Sequence, residues 1–430
     1  MSEMSRGRLV VVGGLGYVGL PLAVLAQEKG WAVTSQDIDQ VKVESISQGV
    51  SPLKDDRLAA DLKQYPIKAT TDYSVVATAD VIIITVPTPV TEKKEPDLSP
   101  LKSALTGIAP HLKPQQLLII ESTVNPGVMD EIVMPLLNES TKIASDIHLA
   151  YCPERINPGD PKWTVRNIPR VLGGYSPAGI KLAQDFYSSV LEAPIMIMNS
   201  AAEAEAVKII ENTFRDVNIA FVNEMAKSFD ALNIDIVKVI EGAATKPFAF
   251  MPHYPGSGVG GHCISVDPYY MIDRGQHVGF DHKFLRLARQ INDSMPQYTV
   301  DLLAKGLTAK SLDLATAKIA LLGLAYKKDV ADIRESPALE LRHIISQSNS
   351  NLRVFDPFVP SQSTVKSLDA ALKNTDAVVL ATAHTEFKNQ LTAENLKAAG
   401  VKVVIDGRNA LDADAIASSG LYYHGIGRSR

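Results

Sequence analysis

Short, continuous apolar runs recur through the first part of the chain. Between them lie stretches whose apolar residues return at helical spacing. Leu9 to Val12, Ala32 to Ser35, Val81 to Val86, Leu117 to Glu121 and Ile147 to Ala150 read as strands, and Leu20 to Lys29 as a helix. A strand without polar alternation is buried on both faces, as in a parallel sheet covered by helices on either side. The pattern predicts a doubly wound α/β domain.

The texture changes at Ser200. Ala201 to Leu232 contains neither Gly nor Pro and keeps helical spacing, which predicts one helix more than about 40 Å long. A Gly- and Pro-rich loop, Pro247 to Gly261, comes next. Two more helices are expected, Asp267 to Arg274 and His282 to Lys305. After a polar, punctuated stretch near Thr308 to Ala315 the α/β alternation resumes. Lys318 to Leu322, Leu352 to Phe355, Ala377 to Ala381 and Val401 to Ile405 read as its strands.

The turn after the first strand is Gly14-Leu15-Gly16-Tyr17-Val18-Gly19, a G-x-G-x-x-G between strand and helix. Glycines there allow a tight turn, let backbone approach a pyrophosphate and let helix pack closely on strand. Asp37 ends the second strand. A carboxylate at that place accepts hydrogen bonds from the adenosine ribose and repels a 2′-phosphate, so the expected cofactor is NAD. Asp39 competes for the role. The whole chain is expected to be α/β, with two Rossmann-like doubly wound domains joined by a long central helix and a helical segment. The expected boundaries are 1–200 for NAD binding, 201–310 for the helical part and 311–430 for the second α/β domain. In that last domain Gly323 to Lys328 occupies the turn corresponding to the glycine fingerprint, and a lysine pair there suits phosphate charge.

Composition acts by exclusion. The 43 basic and 48 acidic residues leave a formal charge of −5, a poor match for a nucleic-acid backbone. No run approaches the roughly 18 to 20 apolar residues that span a bilayer. Met1 to Arg8 is short and polar, a poor signal peptide, so no membrane association and a cytoplasmic setting are expected. With only Cys152 and Cys263 no disulfide framework is expected, and the scattered histidines suggest no metal site.

Cys263 closes the segment Gly258-Val259-Gly260-Gly261-His262-Cys263, and a helix is expected just beyond it. Glycines admit close approach to a ligand, and a helix N-terminus favours a thiolate. Asp267 is one helical turn on, though an aspartate there also suits a helix N-cap. Lys208 and Asn212 share a face of the long helix and together could hold an oxyanion. Glu154 and Arg155 follow the last strand of the first half, and Thr123 follows the one before it. In open α/β sheets ligands bind beyond the carboxyl ends of strands.

These segments resemble the UDP-glucose/GDP-mannose dehydrogenase family over essentially the full length. The resemblance is carried by Gly14 to Gly19, Thr85 to Pro89, Glu121 to Thr123, Tyr151 to Arg155, Glu211 to Asn218 and Gly258 to Asp267. Arg334 to Pro337 and Asp406 to Arg408 add to it. Within the family the chain is most similar to enzymes that oxidise UDP-N-acetylhexosamines. Glu211 to Asn218 and Tyr151 to Arg155 resemble the N-acetyl-D-mannosamine branch, the first choice. Glu154 to Asp160 resembles enzymes for N-acetylglucosamine or N-acetylgalactosamine, and UDP-glucose is a further alternative.

The resemblance implies a four-electron oxidation of the sugar C6 alcohol to the acid, through a Cys263 thiohemiacetal and thioester. Lys208 and Asn212 would hold the C6 oxygen, Asp267 and Thr123 would assist through water, and Glu154 would act as acid and base in hydrolysis. Tyr17, Val18, Thr88, Thr123 and Arg334 would join the glycines and Asp37 at the cofactor. Glu154, Arg155, Lys208, Asn212, Gly260, Tyr326, Lys327 and Arg408 would meet the UDP-sugar. A homodimer or higher homo-oligomer and a role in surface polysaccharide synthesis are also implied. Two other readings are a single-step β-hydroxyacid dehydrogenase, which needs neither Cys263 nor a second α/β domain, and a catalytically silent NAD-binding regulator.

Overall fold

The computed structural model describes residues 6–53, 55–91, 93–156, 162–261 and 264–430. It divides into two compact units. One contains Met1–Glu211 with Tyr269–Phe280, and the other Asn212–Pro268 with Asp281–Arg430.

The first unit is built on an eight-stranded sheet: β1 (Arg8–Val12), β2 (Ala32–Gln36), β3 (Lys68–Thr70), β4 (Val81–Ile84), β5 (Leu117–Ile120), β6 (His148–Tyr151), β7 (Arg170–Gly174) and β8 (Ile195–Ile197). Their order is β3-β2-β1-β4-β5-β6-β7-β8. The first six run parallel; β7 turns antiparallel to β6, and β8 is parallel to β7. Because the chain steps outward from β1 to β3 and then returns to β4, the order reverses between β1 and β4. A crevice at the carboxyl ends of those strands follows from this reversal. The apolar runs are buried on both faces, as the pattern predicts. Leu9 and Val11 share a core with Leu20, Leu22 and Leu25, while Val10 and Val12 share another with Leu101, Leu105 and Ile108. The expected strands are present, with β4 ending at Ile84 rather than Val86. β3, β7 and β8 are additions to the sequence-based expectation.

The long helix is continuous from Ala201 to Ala231. In the second unit Ile236–Ala244, Lys283–Asp293 and Met295–Ala309 are helices. The single helix expected over His282 to Lys305 is thus two. The break falls at Ser294, and Pro296, which has no N–H to donate, lies in the first turn of the next helix. The second sheet comprises β9 (Ile319–Leu322), β10 (Leu352–Phe355), β11 (Ala377–Leu380), β12 (Val403–Asp406), β13 (Tyr422–Gly425) and β14 (Arg428–Ser429), in the order β10-β9-β11-β12-β13-β14. All pairs are parallel except the last. Leu303 and Leu307 cover one face with Ile319 and Leu321, and Phe387, Leu396 and Ile416 cover the other with Ala320 and Leu322. The two Rossmann-like sheets expected from the sequence are therefore present. Among the described residues no helix is long and apolar enough to cross a membrane.

Glu205, near the start of the long helix, fastens the turn after β5. Its buried carboxylate accepts from the N–H groups of Gly127 at 2.7 Å and Met129 at 2.9 Å. Burial outweighs these bonds and raises the carboxyl from 4.5 to about 7. Its contribution to stability is therefore fully present below about pH 4.5 and is lost as pH rises through about 7. A shift of this size corresponds to about 3 kcal/mol. Glu205→Gln keeps one acceptor oxygen and is expected to flatten the dependence of unfolding free energy on pH between about pH 5 and about pH 8. Denaturant titrations at the two ends of that range measure the slope, and a slope equal to wild type would contradict the assignment.

Candidate functional site

The three glycines of the fingerprint do different things. A Cβ on Gly14 would lie 2.6 Å from the Val11 carbonyl oxygen, and one on Gly19 would lie 2.6 Å from Thr85 Oγ1 and 2.7 Å from Gly14 Cα. Both positions let the helix Gly19–Glu28 close on β1. A Cβ on Gly16 would meet nothing nearer than the Gly13 oxygen at 3.9 Å, so this backbone faces open space. That helix has no side-chain cap at Val18 and no acidic residue in its first turn; the Leu20 N–H donates to the Gly16 oxygen at 3.1 Å and Pro21 has none, so the start at Gly19 is the part open to an anion. Tyr17 is partly exposed beside it.

Asp37, buried at the end of β2, holds the turn. One oxygen accepts from the Leu15 N–H and the other from the Asp39 N–H, both at 3.1 Å. Its rival is engaged elsewhere. Asp39 caps the helix Gln40–Ser47, accepting from Val41 and Lys42 at 3.0 and 3.3 Å. The glycine spacing, uncapped helix start and buried carboxylate together fit an NAD pyrophosphate and ribose.

The loops after β4 and β5 are stitched to each other. Ser122 Oγ donates to the Val86 oxygen at 2.7 Å, and Thr88 Oγ1 donates to the Thr123 oxygen at 2.6 Å. The Tyr270 hydroxyl also donates to the Thr88 oxygen. Thr123 is half-buried, and Thr88 acts on it through backbone.

Glu154 is expected as an acid and base, and the structure gives its carboxylate other partners. One oxygen accepts from the N–H groups of Arg155 at 2.6 Å and Ile156 at 2.8 Å; the other pairs with Arg170, which is fully buried. Arg170 Nη1 lies 3.8 Å from Glu121, whose other oxygen takes the Tyr187 hydroxyl. Burial raises the Glu121 carboxyl to about 7 and pushes the neighbouring Cys152 thiol up to about 12, which marks Cys152 as an inert core thiol. Sequence reading missed Arg170. Its signal was a lone arginine opening the apolar strand Arg170–Gly174. Arg155 is held by Glu211 of the long helix and donates to the Pro169 oxygen at 2.9 Å. Lys208 is only 8% exposed, and among the described residues its ammonium has no hydrogen-bond or ion-pair partner.

In the second unit, Asn212 Nδ2 donates to Asp267 Oδ2 at 2.6 Å, both side chains being buried. Asp267 opens the helix Asp267–His277. The glycine loop is packed against the turn after β9. A Cβ on Gly260 would lie 2.8 Å from Tyr326 Cβ and 2.7 Å from the Glu335 oxygen, and one on Gly261, at φ +86°, would lie 2.7 Å from the Tyr326 ring. The Gly261 N–H donates to the Arg334 oxygen at 3.0 Å. A Cβ on Gly256 would lie 2.9 Å from Arg408 Nη1, while Arg408 Nε donates to the Ala381 oxygen at 2.9 Å. Gly260, Tyr326, Arg334 and Arg408 thus gather around one loop. Arg334 also pairs with Asp332 at 2.6 Å, and Lys327 is half-buried on the same turn. Cys263 and His262 lie outside the described residues, as do 157–161.

If Asp37 receives the ribose, Asp37→Ala should weaken NAD binding by about 10- to 100-fold, the range for hydrogen bonds to a charged group. Fluorescence titration with NAD measures this, and an unchanged affinity would contradict it. Wild type should also use NAD with higher catalytic efficiency than NADP.

Comparison with known proteins agrees with this geometry. Three domains of the UDP-glucose/GDP-mannose dehydrogenase family match in order: the NAD binding domain over residues 8–191, the central domain over 202–294 and the UDP binding domain over 320–413. The chain is 37% identical to a UDP-N-acetyl-D-glucosamine 6-dehydrogenase of Pseudomonas aeruginosa, over 94% of this chain and 97% of that one. The structure of a UDP-D-ManNAc dehydrogenase from Pyrococcus horikoshii superposes with a TM-score of 0.89 at 36% identity, covering 98% of this chain and 99% of that one. An NDP-N-acetyl-D-galactosaminuronic acid dehydrogenase from Methanosarcina mazei superposes with a TM-score of 0.84 at 31% identity, covering 99% and 96%. The chain therefore belongs to the UDP-glucose/GDP-mannose dehydrogenase family and is an NAD-dependent nucleotide-sugar dehydrogenase.

Proposed function

We propose that the protein oxidises the C6 alcohol of a UDP-N-acetylhexosamine to the uronic acid, with UDP-N-acetyl-D-mannosamine as first choice of substrate. The observation that carries the reading is Lys208: a residue only 8% exposed, whose side chain has no hydrogen-bond or ion-pair partner among the described residues, one helical turn from Asn212. A largely enclosed cation with no resident carboxylate is free to meet charge that develops on a ligand. Similarity to enzymes of mannosamine, glucosamine and galactosamine derivatives supports the acetamido class.

Two NAD molecules, held one after the other at the glycine turn, would supply the hydride acceptors for the two oxidations. In the first, C6 gives up a hydride and its hydroxyl a proton, leaving an aldehyde. Cys263 then adds through sulfur to C6, and the carbonyl oxygen becomes the hydroxyl of a thiohemiacetal. Loss of a second hydride and proton from that adduct leaves a thioester. Water attacks it, the C–S bond breaks, and the carboxylate and free thiol result. Capture on sulfur keeps the aldehyde from escaping between steps. Lys208 and Asn212 hold the C6 oxygen each time negative charge gathers on it. Asp267, bonded to Asn212 at 2.6 Å, orients that amide and can receive a proton through water. Glu154, tied to Arg170 and two backbone N–H groups, is better suited to shaping its loop than to exchanging protons.

Two NADH should form per sugar oxidised, followed by absorbance of the reduced cofactor. Cys263→Ser should lose acid production while still binding NAD and sugar, and Lys208→Ala should be slower by roughly two orders of magnitude, the usual effect of losing an oxyanion donor. Full activity in Cys263→Ser, or one NADH per sugar, would overturn the mechanism. On a panel of nucleotide sugars, UDP-N-acetyl-D-mannosamine should be turned over best. Faster turnover of UDP-glucose or GDP-mannose than of every UDP-N-acetylhexosamine would overturn the substrate class.

A further inference from the structure

We infer that Asn223 is a positioning residue for the segment leading to Cys263, acting as the last member of a buried chain of hydrogen bonds whose direction is set by Asp216. The inference rests on the reading of Cys263 as nucleophile.

The chain begins at an ion pair. Arg289 Nη1 donates to Asp216 Oδ1 at 2.6 Å, with Asp216 fully buried and Arg289 nearly so. An ionised carboxylate only accepts. Asn292 must therefore turn its NH2 toward Asp216, and it donates to Oδ1 at 2.8 Å and to the backbone oxygen at 3.0 Å. That leaves Asn292 Oδ1 facing the other way, where it accepts from Asn223 Nδ2 at 2.9 Å. Asn223 in turn has its own oxygen facing outward, and it accepts the Gly256 N–H at 3.0 Å. Asn223 and Asn292 are at most 1% exposed, so water is not at hand to complete a misdirected amide. An amide is nearly symmetrical in shape, and it is the fixed charge at one end that decides which atom meets the loop.

Gly256 is where this matters. From there the loop is held by backbone: the Ser257 N–H donates to the Gly407 oxygen at 3.1 Å and the Gly261 N–H to the Arg334 oxygen at 3.0 Å. Gly258 and Gly261 sit at φ +125° and +86°, conformations that give the segment little side-chain restraint of its own. The Asn223 bond is the point at which a side chain of the long helix fixes its course, and Cys263 follows two residues after Gly261.

Two variants test this in the full-length enzyme with Cys263 intact. Asn223→Ala should lower kcat at least tenfold and slow alkylation of Cys263 by iodoacetamide, with the KM for NAD within twofold of wild type. The only other thiol, Cys152, is fully buried, so alkylation reports on Cys263. Asn223→Asp is isosteric and decides the matter should the alanine variant fold poorly. As a neutral acid its O–H can replace the amide donor to Asn292 while its carbonyl still accepts from Gly256; once ionised, it faces the Asn292 oxygen with a second acceptor. Its kcat should approach wild type at acidic pH and fall away as pH rises, a limb that wild type lacks. Asn223→Ala with kcat within twofold of wild type, or an Asn223→Asp profile parallel to wild type at every pH, would overturn the relay. Failure of the nucleophile reading registers separately, as acid production by Cys263→Ser.

Discussion

In each of the two sheets a carboxylate at the end of one strand ties down the turn that leaves its neighbour. Asp37 follows β2 and accepts the Leu15 N–H at 3.1 Å; Asp356 follows β10 and accepts the N–H groups of Leu324 and Ala325 at 2.6 and 2.9 Å. The constraint is geometric. A parallel strand that turns into open space leaves backbone N–H groups unpaired, and a buried acceptor from the adjacent strand end satisfies them. What the turn can then bind depends on what else the carboxylate must do. Asp37 makes two backbone contacts and stands beside an uncapped helix start. Asp356 also receives His384 Nε2 at 3.0 Å, and that ring packs on Phe358. The helix after this second turn begins with Pro337, which has no N–H, and its Ala338 N–H is capped by Ser336. One clamp thus presents a dinucleotide site and the other a closed turn carrying Tyr326 and Lys327. This contrast is the physical basis for assigning NAD to the first sheet, and it accords with the family's division into NAD and UDP binding domains.

Buried charge is matched in a comparable way. Arg170 stands between Glu121 and Glu154, so two buried carboxylates share one cation, and the Glu121 carboxyl is lifted to about 7. Asp216 is matched by Arg289. Lys208 alone among these buried charges has no partner within the described residues. This fits the proposed role of Lys208 toward a transient oxyanion, because a resident carboxylate would cancel the stabilisation such a cation offers.

The sequence made the fold legible where burial leaves a continuous apolar signature, as in Leu9 to Val12 or Leu117 to Glu121. It was less informative where an element is short or half-exposed. β8 is Ile195–Ile197, with Met196 largely exposed, and β7 opens with a charged residue. The division at Ser294 was hidden because apolar spacing continues across it, and only Pro296 marked the place. Site residues followed a similar rule. Glycine spacing with Asp37, and Lys208 with Asn212, are local patterns that sequence displays. Which of Asp37 and Asp39 faces the turn, and which arginine meets Glu154, depends on strand pairing between distant segments. Asn223 and Asn292 were passed over for the same reason, and Asp216 was noted only as part of the block Glu211 to Asn218: polar residues on helices look like solvated surface until tertiary packing buries them.

The proposed chemistry turns on a covalent sugar adduct at Cys263, and the most direct measurement is to trap it. Asp267→Asn keeps a side chain able to bond Asn212 but loses the carboxylate that would take a proton from the hydrolytic water. After addition of NAD and the UDP-N-acetylhexosamine, the variant is quenched in acid and examined by intact-protein mass spectrometry. A mass increase matching the thioester of the oxidised nucleotide sugar, mapping to the peptide that contains Cys263, is the predicted result. A variant that turns over substrate at a measurable rate with no adduct at any time, or an adduct on another residue, would contradict covalent catalysis by Cys263.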